Sequence, residues 1–197
     1  WVDPDSCLFR EIAIMFMEEN VNYTKEYKLE GILVNNKYGN FAMYQAKKHE
    51  MLWRQSNANE MWLWHGTRYD RVQRILEYGF NRDYSQVAAW GRGTYFAKEA
   101  SYSMSDNYSE PFSILNDDGT YNEYKTMLLS RVLVGEYCLG SPSKIEPDDK
   151  PTGGRYDSLV NDCKNPSIFV LSAGSDAQSF VEFVLILKKS SYGMKRG

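Results

Sequence analysis

The sequence predicts an α+β fold with a mainly antiparallel β-sheet and flanking helices. Segments with helical spacing of apolar residues lie mainly in the first half of the chain, and apolar runs with strand character lie mainly in the second half. The length supports one unit, because 197 residues allow one domain with a substantial core but are few for two. We therefore expect a single domain over residues 1–189 and a flexible tail over residues 190–197.

Four segments have the apolar spacing of amphipathic helices. These helices are expected over residues 6–18, 38–53 and 100–108, and between Asp70 and Gly79. The run DPDS at residues 3–6 offers a cap for the first helix, and Asp70 is expected to cap the third. Gly79 is expected to end the third helix, since glycine easily adopts a left-handed backbone.

Seven apolar runs have strand character, and the run MLLSRVLVGEY is the strongest of them. Strands are expected over residues 27–34, 61–64, 94–97, 125–137, 156–160, 167–172 and 180–187. Two segments rich in turn-forming residues, 110–124 and 139–155, are expected to be surface loops, as is the mixed segment 80–90.

The composition gives no case for nucleic acid or metal as a partner. The formal net charge is −3 and no Lys/Arg-rich face stands out, so we do not expect nucleic-acid binding. The three cysteines, Cys7, Cys138 and Cys163, are far apart in the sequence, and only two histidines accompany them. Neither a transition-metal site nor a disulfide framework is therefore expected. Reduced thiols indicate the cytoplasm or the nucleus.

The ends and apolar runs of the chain indicate its context. No apolar run is long enough to span a bilayer and no signal peptide is found, so we expect no membrane contact. The chain begins at Trp1 rather than Met. We therefore expect a monomeric domain of a larger protein.

The most informative stretch covers residues 62–108. His65 ends a short apolar run and is followed by Gly and Thr, and about thirty residues later the chain reads Gly93-Thr-Tyr-Phe-Ala. Gly91 and Gly93 lack the third glycine of a dinucleotide-binding fingerprint, and they precede a strand rather than a helix. No nucleophile elbow, Walker loop or His-Glu-x-x-His motif occurs. The chemistry must therefore rely on His, Tyr, Ser and backbone groups.

This pair of motifs resembles the NAD-binding core of the poly(ADP-ribose) polymerase family, the diphtheria-toxin-like ADP-ribosyltransferases. The resemblance extends over nearly the whole chain, through the run SYS at 101–103, Tyr108, the run NPSIFV at 165–170 and the run QSFVEF at 178–183. It implies the ADP-ribosyltransferase fold, with a split antiparallel sheet, as a single catalytic domain. It also implies NAD as co-substrate, no metal, and a protein acceptor, auto-modification included.

The motifs of the family imply roles residue by residue. His65 is implied to hydrogen-bond the ribose hydroxyls of NAD, and Tyr95 to wall the ribose side. Gly66 and Ser103 are implied to bind the nicotinamide carboxamide, and a glycine there is expected to leave room for a ring near the backbone. Tyr108 is implied to stack on that ring. The implied NAD-binding set is His65, Gly66, Thr67, Arg82, Tyr95, Ala97, Ser103 and Tyr108. Singly, such residues are more often core or surface positions; their order and spacing favour the functional interpretation.

The implied catalytic set, His65, Tyr95 and Ile168, departs from that of chain-elongating members at its third position. Those members carry Glu there, which polarises the nicotinamide ribose and activates the acceptor hydroxyl. Isoleucine does neither, and members with His-Tyr-Ile or His-Tyr-Leu are mono-ADP-ribosyltransferases. The run GFNR at 79–82 resembles the same branch. Glu182 is the one nearby acid able to compensate, although it matches a non-catalytic glutamate of the family.

The resemblance thus implies transfer of one ADP-ribose to an acceptor side chain with release of nicotinamide. Glu or Asp of a protein is the first expectation for the acceptor, with Cys, Ser or a nucleic-acid end behind, because a carboxylate itself supplies the charge that Ile168 lacks. Two other functions stay open: an NAD- or ADP-ribose-binding module without turnover, and an RNA 2′-phosphotransferase that uses NAD. The latter needs basic residues for phosphates, which a net charge of −3 does not favour.

Overall fold

The computed structural model describes residues 1–18, 26–80, 89–172 and 176–190. Its α-helices are α1 (Cys7–Glu18), α2 (Tyr38–Arg54), α3 (Tyr69–Tyr78) and α4 (Ala100–Ser103), and Asp176–Gln178 forms a 3₁₀ helix. Its strands are β1 (Tyr27–Val34), β2 (Glu60–Gly66), β3 (Thr94–Ala97), β4 (Phe112–Leu115), β5 (Tyr121–Leu133), β6 (Tyr137–Leu139), β7 (Ser158–Val160), β8 (Ile168–Leu171) and β9 (Ser179–Lys189).

The nine strands form one sheet in the order β1-β9-β5-β2-β3-β8-β7-β6, and β4 pairs with β5 at the side of this path. Every pair among these strands is antiparallel except β6 with β7, which is parallel. The α+β class with a mainly antiparallel sheet is therefore confirmed. Strand β5 is buried almost continuously from Lys125 to Leu133 because neighbouring elements cover both of its faces.

Helices α1 and α3 cover opposite faces of the sheet. Successive residues of β2 point to opposite faces. Trp64 packs in one core cluster with Phe16 of α1, whereas Leu63 packs in another with Val72 of α3. His65 follows Trp64 in the strand and therefore lies on the α3 face.

Two of the predicted helix ends, the start of α1 and the end of α3, are confirmed, whereas the predicted cap at the start of α3 is wrong. The Ser6 hydroxyl accepts a hydrogen bond from the Phe9 N–H at 3.1 Å, as expected of a cap for α1. Gly79 ends α3 with a φ of 79°. Asp70 does not cap α3, because Arg68 holds the N-cap position. Asp70 instead lies in the first turn and accepts a hydrogen bond from Arg68 at 3.1 Å.

The segment 110–124, predicted as a surface loop, contains a β-hairpin. Phe112–Leu115 pairs with Tyr121–Tyr124 across a turn in which Gly119 has a φ of 80°. The Phe112 ring stacks on Tyr69 at 4.3 Å between centroids, which attaches the hairpin to α3. Strand β5 therefore begins before the predicted residue 125.

The predicted strand 125–137 ends early because a glycine turns the chain. Gly135 has a φ of 60° and donates its N–H to the Ala58 carbonyl at 3.0 Å, which separates β5 from β6. The predicted helix 100–108 also ends early, at Ser103. The Lys125 ammonium donates to the Met104 carbonyl at 2.7 Å, so this oxygen is occupied where the next turn of helix would use it.

The other predicted helices and strands lie within about two residues of their expected ends. The predicted loop 80–90 falls largely outside the described residues, as does the tail from residue 191 onward. The domain boundary at residue 189 stays a prediction. No helix within the described ranges is long and apolar enough to cross a membrane.

Candidate active site

His65 lies at the end of β2, and its surroundings keep the imidazole neutral. Its Nδ1 is 2.7 Å from the Tyr95 carbonyl oxygen, and its ring contacts Phe80 and Phe96 at 4.8 and 5.6 Å between centroids. Burial lowers the pKa of His65 to about 4, the bond to the Tyr95 carbonyl opposes this shift, and the charge of Arg71 adds to it. Because a carbonyl only accepts, Nδ1 carries the proton and Nε2 is left as an acceptor.

Gly66 is required where β2 touches α4. A Cβ at this position would overlap the Ser103 carbonyl oxygen and lie 2.8 Å from the Cβ of Tyr108. The absence of a side chain therefore lets β2 and the Tyr108 segment come together. Gly66 also lines the cavity described below, and the expectation that it leaves room for a ligand ring stays a prediction.

Side chains and carbonyls of β5 hold in place the two segments that meet at Gly66, namely the end of β2 and the segment around Tyr108. The Thr126 hydroxyl donates to the Thr67 carbonyl at 3.1 Å, and the Thr126 carbonyl accepts from the Ser109 hydroxyl at 2.7 Å. The neighbouring Lys125, buried to 1% exposure, bonds Asp106 at 2.5 Å in addition to the Met104 carbonyl. A buried ammonium needs such partners, and here they fix the segment that carries Tyr108.

Tyr95 braces the turn before β3. Its hydroxyl donates to the Gly91 carbonyl at 2.6 Å and accepts from the Trp90 N–H at 3.0 Å. Burial raises the pKa of Tyr95, so the phenol stays protonated near neutral pH. Its carbonyl meanwhile orients His65. Tyr95 thus fixes this turn with its side chain and orients His65 with its carbonyl, and its implied role beside the ribose of NAD stays a prediction.

Ile168 is a core residue at the start of β8. It is 5% exposed, pairs with Ala97 of β3, and packs in one apolar cluster with Ala97 and Val170, against which Tyr95 also packs. The Asn161 side chain accepts a hydrogen bond from the Ile168 N–H at 2.9 Å. The strand start is therefore well fixed, and an apolar side chain occupies it.

The Glu182 carboxylate is paired with an arginine on a neighbouring strand. It lies on β9 and accepts two hydrogen bonds from Arg131, at 2.6 and 3.2 Å. Arg131 in turn lies over the Trp62 ring at 4.9 Å. Two hydrogen bonds thus hold the Glu182 carboxylate to Arg131 of β5. Glu182 does not line the cavity described next.

A cavity of about 850 Å³ lies between α3, the end of β2 and the Tyr108 segment. The described residues that line it are His65, Gly66, Thr67, Arg68, Asp70, Arg71, Arg74, Ile75, Tyr78, Gly79, Phe80, Thr94, Tyr95, Asn107, Tyr108 and Glu110. Arg68 bridges the rim, with Asp70 at 3.1 Å and Glu110 at 3.2 Å. Arg71 and Arg74 add further positive charge along α3. The volume and lining suit a ligand that combines rings, hydroxyls and anionic groups.

The structure brings together five of the predicted site residues around this cavity: His65, Gly66, Thr67, Tyr95 and Tyr108. Ser103 is buried beneath it against Gly66, while Ala97 and Ile168 lie in the neighbouring apolar cluster. Arg82 falls outside the described residues. The individual roles implied for these residues in NAD binding and catalysis stay predictions.

Two groups of site residues were not singled out from the sequence. Arg68, Arg71 and Arg74 recur every third residue, a spacing that places side chains on one side of a helix and was a readable signal. Lys125 and Thr126 gave no such signal, because they sit in an apolar strand and their partners are distant in sequence. No group of three or more His, Cys, Asp or Glu side chains in the described ranges is placed to hold a metal ion.

Comparison with known proteins agrees with this geometry. The chain is 37% identical over 153 residues to the human "Protein mono-ADP-ribosyltransferase PARP14", a match that covers 74% of this chain and 8% of that protein. It is 34% identical over 155 residues to human PARP12, covering 76% of this chain and 20% of that protein. Mouse PARP11 is 36% identical over 126 residues, which cover 57% of this chain and 38% of that protein. The chain thus spans well under half of these relatives.

Structural comparison and the family match lead to the same conclusion. The PARP domain of Arabidopsis RADICAL-INDUCED CELL DEATH1 superposes with a TM-score of 0.73 over 92% of this chain and 98% of that one, at 17% identity, which shows a shared fold. Residues 6–165 match the model of the family "Poly(ADP-ribose) polymerase catalytic domain". The chain therefore belongs to the poly(ADP-ribose) polymerase catalytic domain family.

Proposed function

We propose that this domain is an NAD-dependent protein mono-ADP-ribosyltransferase. The observation that carries the proposal is the cavity lined by both His65, held neutral, and Tyr108. The buried Ile168 supports it, since the resemblance puts this residue where chain-elongating members carry Glu. Relatives that are 32–38% identical are named protein mono-ADP-ribosyltransferases. The proposed acceptor is an acidic side chain of a protein, which includes this protein itself. The domain is proposed to be monomeric and part of a longer protein.

NAD fits the lining of the cavity by the chemistry of its parts. Tyr108 offers an aromatic face for the nicotinamide ring, and the unprotonated Nε2 of His65 accepts a hydrogen bond from a ribose hydroxyl. Arg71 and Arg74 supply the positive charge that a pyrophosphate attracts. This order along the cavity would place the ring end of NAD near Gly66 and the phosphates along α3.

The transfer then follows from what the protein provides and what it lacks. The bond between ribose C1′ and the nicotinamide nitrogen breaks, and its electron pair leaves with nicotinamide. An acceptor carboxylate oxygen forms the new bond to C1′ and needs no deprotonation near neutral pH, because its pKa lies far below 7. A ribose hydroxyl would need a base, and Ile168 offers none. Transfer therefore stops after one ADP-ribose.

The experiment that tests the proposal is incubation of the domain with NAD labelled in its adenylate part. We expect label on the protein as one discrete gel shift, removable by hydroxylamine as an ester to Glu or Asp would be. His65→Ala should label much less while it melts at nearly the same temperature, because the residue acts through binding and orientation. A ladder from the unmodified domain would contradict single transfer, and stable binding without nicotinamide release would leave only a binding module.

One observation favours the binding module as a second candidate. The only carboxylates that line the cavity within the described residues are Asp70 and Glu110, and both pair with Arg68 at the rim. A site so poor in acids can hold NAD or ADP-ribose without turning it over. Release of nicotinamide distinguishes the two functions. For either one we propose a reducing compartment, the cytoplasm or the nucleus, in keeping with three unpaired cysteines.

A further inference from the structure

Tyr102 lies against the Tyr108 ring and has no assigned role. The two ring centroids are 5.0 Å apart, with 26° between the ring planes, and the two hydroxyl oxygens are 2.8 Å apart. Tyr108 lines the cavity and Tyr102 does not. Tyr102 therefore contacts the Tyr108 ring from outside the cavity and leaves the ring's inner face to a ligand.

Different contacts hold the main chain of Tyr108 and its ring. The Tyr108 N–H donates to the Ser105 carbonyl at 2.9 Å, and the next residue, Ser109, is bonded to Thr126 at 2.7 Å. The Tyr108 hydroxyl forms a hydrogen bond with the Tyr102 hydroxyl. Burial raises the pKa of Tyr102 and the bond to Tyr108 raises it further, so its phenol remains protonated and available for this bond.

We propose that Tyr102 is a positioning residue that holds the Tyr108 ring in the orientation needed to stack on the nicotinamide of NAD. A bound nicotinamide becomes the third ring of a stack whose first two rings are Tyr102 and Tyr108. The inference rests on the proposed function, since it assumes that Tyr108 faces nicotinamide. Without Tyr102 the Tyr108 side chain samples several rotamers. A flat ring that binds must then fix one of them, and the conformational entropy lost in doing so weakens its affinity.

The effect is confined to the ring end of the cavity. Arg71 and Arg74, which would face the phosphates, belong to α3, whereas Tyr102 belongs to α4 and Tyr108 follows it. Loss of Tyr102 should therefore weaken the binding of ligands that carry a nicotinamide-like ring and leave unchanged the binding of ligands that carry only the ADP-ribose part. A general loosening of the fold would weaken both.

The test compares Tyr102→Leu and Tyr102→Phe with the unmodified domain, with Tyr38→Leu as the control. Tyr38 is 83% exposed on α2 and does not line the cavity, whereas Tyr102 is 39% exposed, so each variant should fold. Calorimetry would measure the affinity for benzamide and for ADP-ribose. Tyr102→Leu should weaken benzamide by ~3–10-fold, the scale of one aromatic pair, and leave ADP-ribose nearly unchanged. Tyr102→Phe keeps the ring and should lie in between.

Kinetics supply the second measurement. The KM for NAD should rise in Tyr102→Leu by about the same factor as the benzamide dissociation constant. Unchanged benzamide affinity in Tyr102→Leu, or an equal loss for benzamide and ADP-ribose, would overturn the positioning role while the proposed function stands. If the unmodified domain bound neither benzamide nor NAD, the proposed function itself would fall, and this inference with it.

Discussion

At the scale of single residues, His65 connects the chemistry of the site with the stability of the domain. Its ordinary pKa of 6.5 falls to about 4 in the folded protein, mainly because of burial. Between these two values the unfolded chain binds a proton that the folded chain does not. The free energy of unfolding therefore decreases as the pH falls through this window. The contribution of His65 to stability is fully present above pH 6.5.

His65→Asn isolates this contribution, because Asn keeps a donor for the Tyr95 carbonyl and does not titrate. We expect the variant to lose less stability than the unmodified domain between about pH 7 and about pH 5, as measured by urea denaturation at each pH. An equal loss in both proteins would show that His65 is not held neutral by its surroundings.

Ile168 sets a second prediction at this scale. Ile168→Glu places a carboxylate at a position that is 5% exposed among Ala97, Leu159 and Val170, so burial should raise its pKa and lower the stability of the domain. We expect a loss of about 2–4 kcal/mol in the free energy of unfolding, and labelled product that still runs as one shift. Ile168→Val is the matched control and should cost about 1 kcal/mol. A ladder from the Glu variant would show that one residue alone limits product length.

At the scale of elements, the site depends on how closely β2 and α4 approach. Gly66→Ala brings a methyl group onto the Ser103 carbonyl oxygen, which belongs to the main chain and cannot rotate away. We expect a loss of about 1–3 kcal/mol in stability together with weaker benzamide binding, because α4 and Tyr108 must both shift. Gly39→Ala, in α2, meets nothing within 4 Å and serves as the control. Full benzamide affinity in Gly66→Ala would show that the site tolerates this shift.

The same scale shows what sequence reasoning captured and what it missed. Helices α1 to α3 and most strands were predictable, because apolar periodicity reports burial directly. The β4–β5 hairpin was missed because its turn-rich sequence conceals strands whose apolar residues, Ile114 and Leu115, remain exposed. The end of α4 depends on Lys125, which is distant in the sequence, and no local pattern predicts that contact. His65, Gly66 and Tyr108, which the motifs singled out, do line the cavity, because motif spacing carries information that periodicity does not. Their roles in NAD binding stay predictions.

At the scale of the whole molecule, one sheet carries a core on each face, and only one of those faces holds the cavity. Phe16 of α1 packs edge-on against Trp64 at 6.1 Å on the opposite face and is 1% exposed. Because both cores share the strands β2, β5 and β9, damage to one should weaken the entire fold. The cavity itself is lined by α3 and by the segments around His65 and Tyr108.

Phe16→Ala separates global stability from the site. The cavity left by a buried aromatic ring should lower the free energy of unfolding by about 3–5 kcal/mol, still in one cooperative transition. Benzamide affinity, measured by calorimetry at a temperature where the variant is folded, should stay within about twofold of the unmodified value, since Phe16 packs with Trp64 on the opposite face of the sheet. Saturating benzamide should raise the melting temperature of both proteins. Two separate unfolding transitions would show that the α1 face and the cavity face are independent units, and a large loss of affinity would show that the α1 core helps to shape the site.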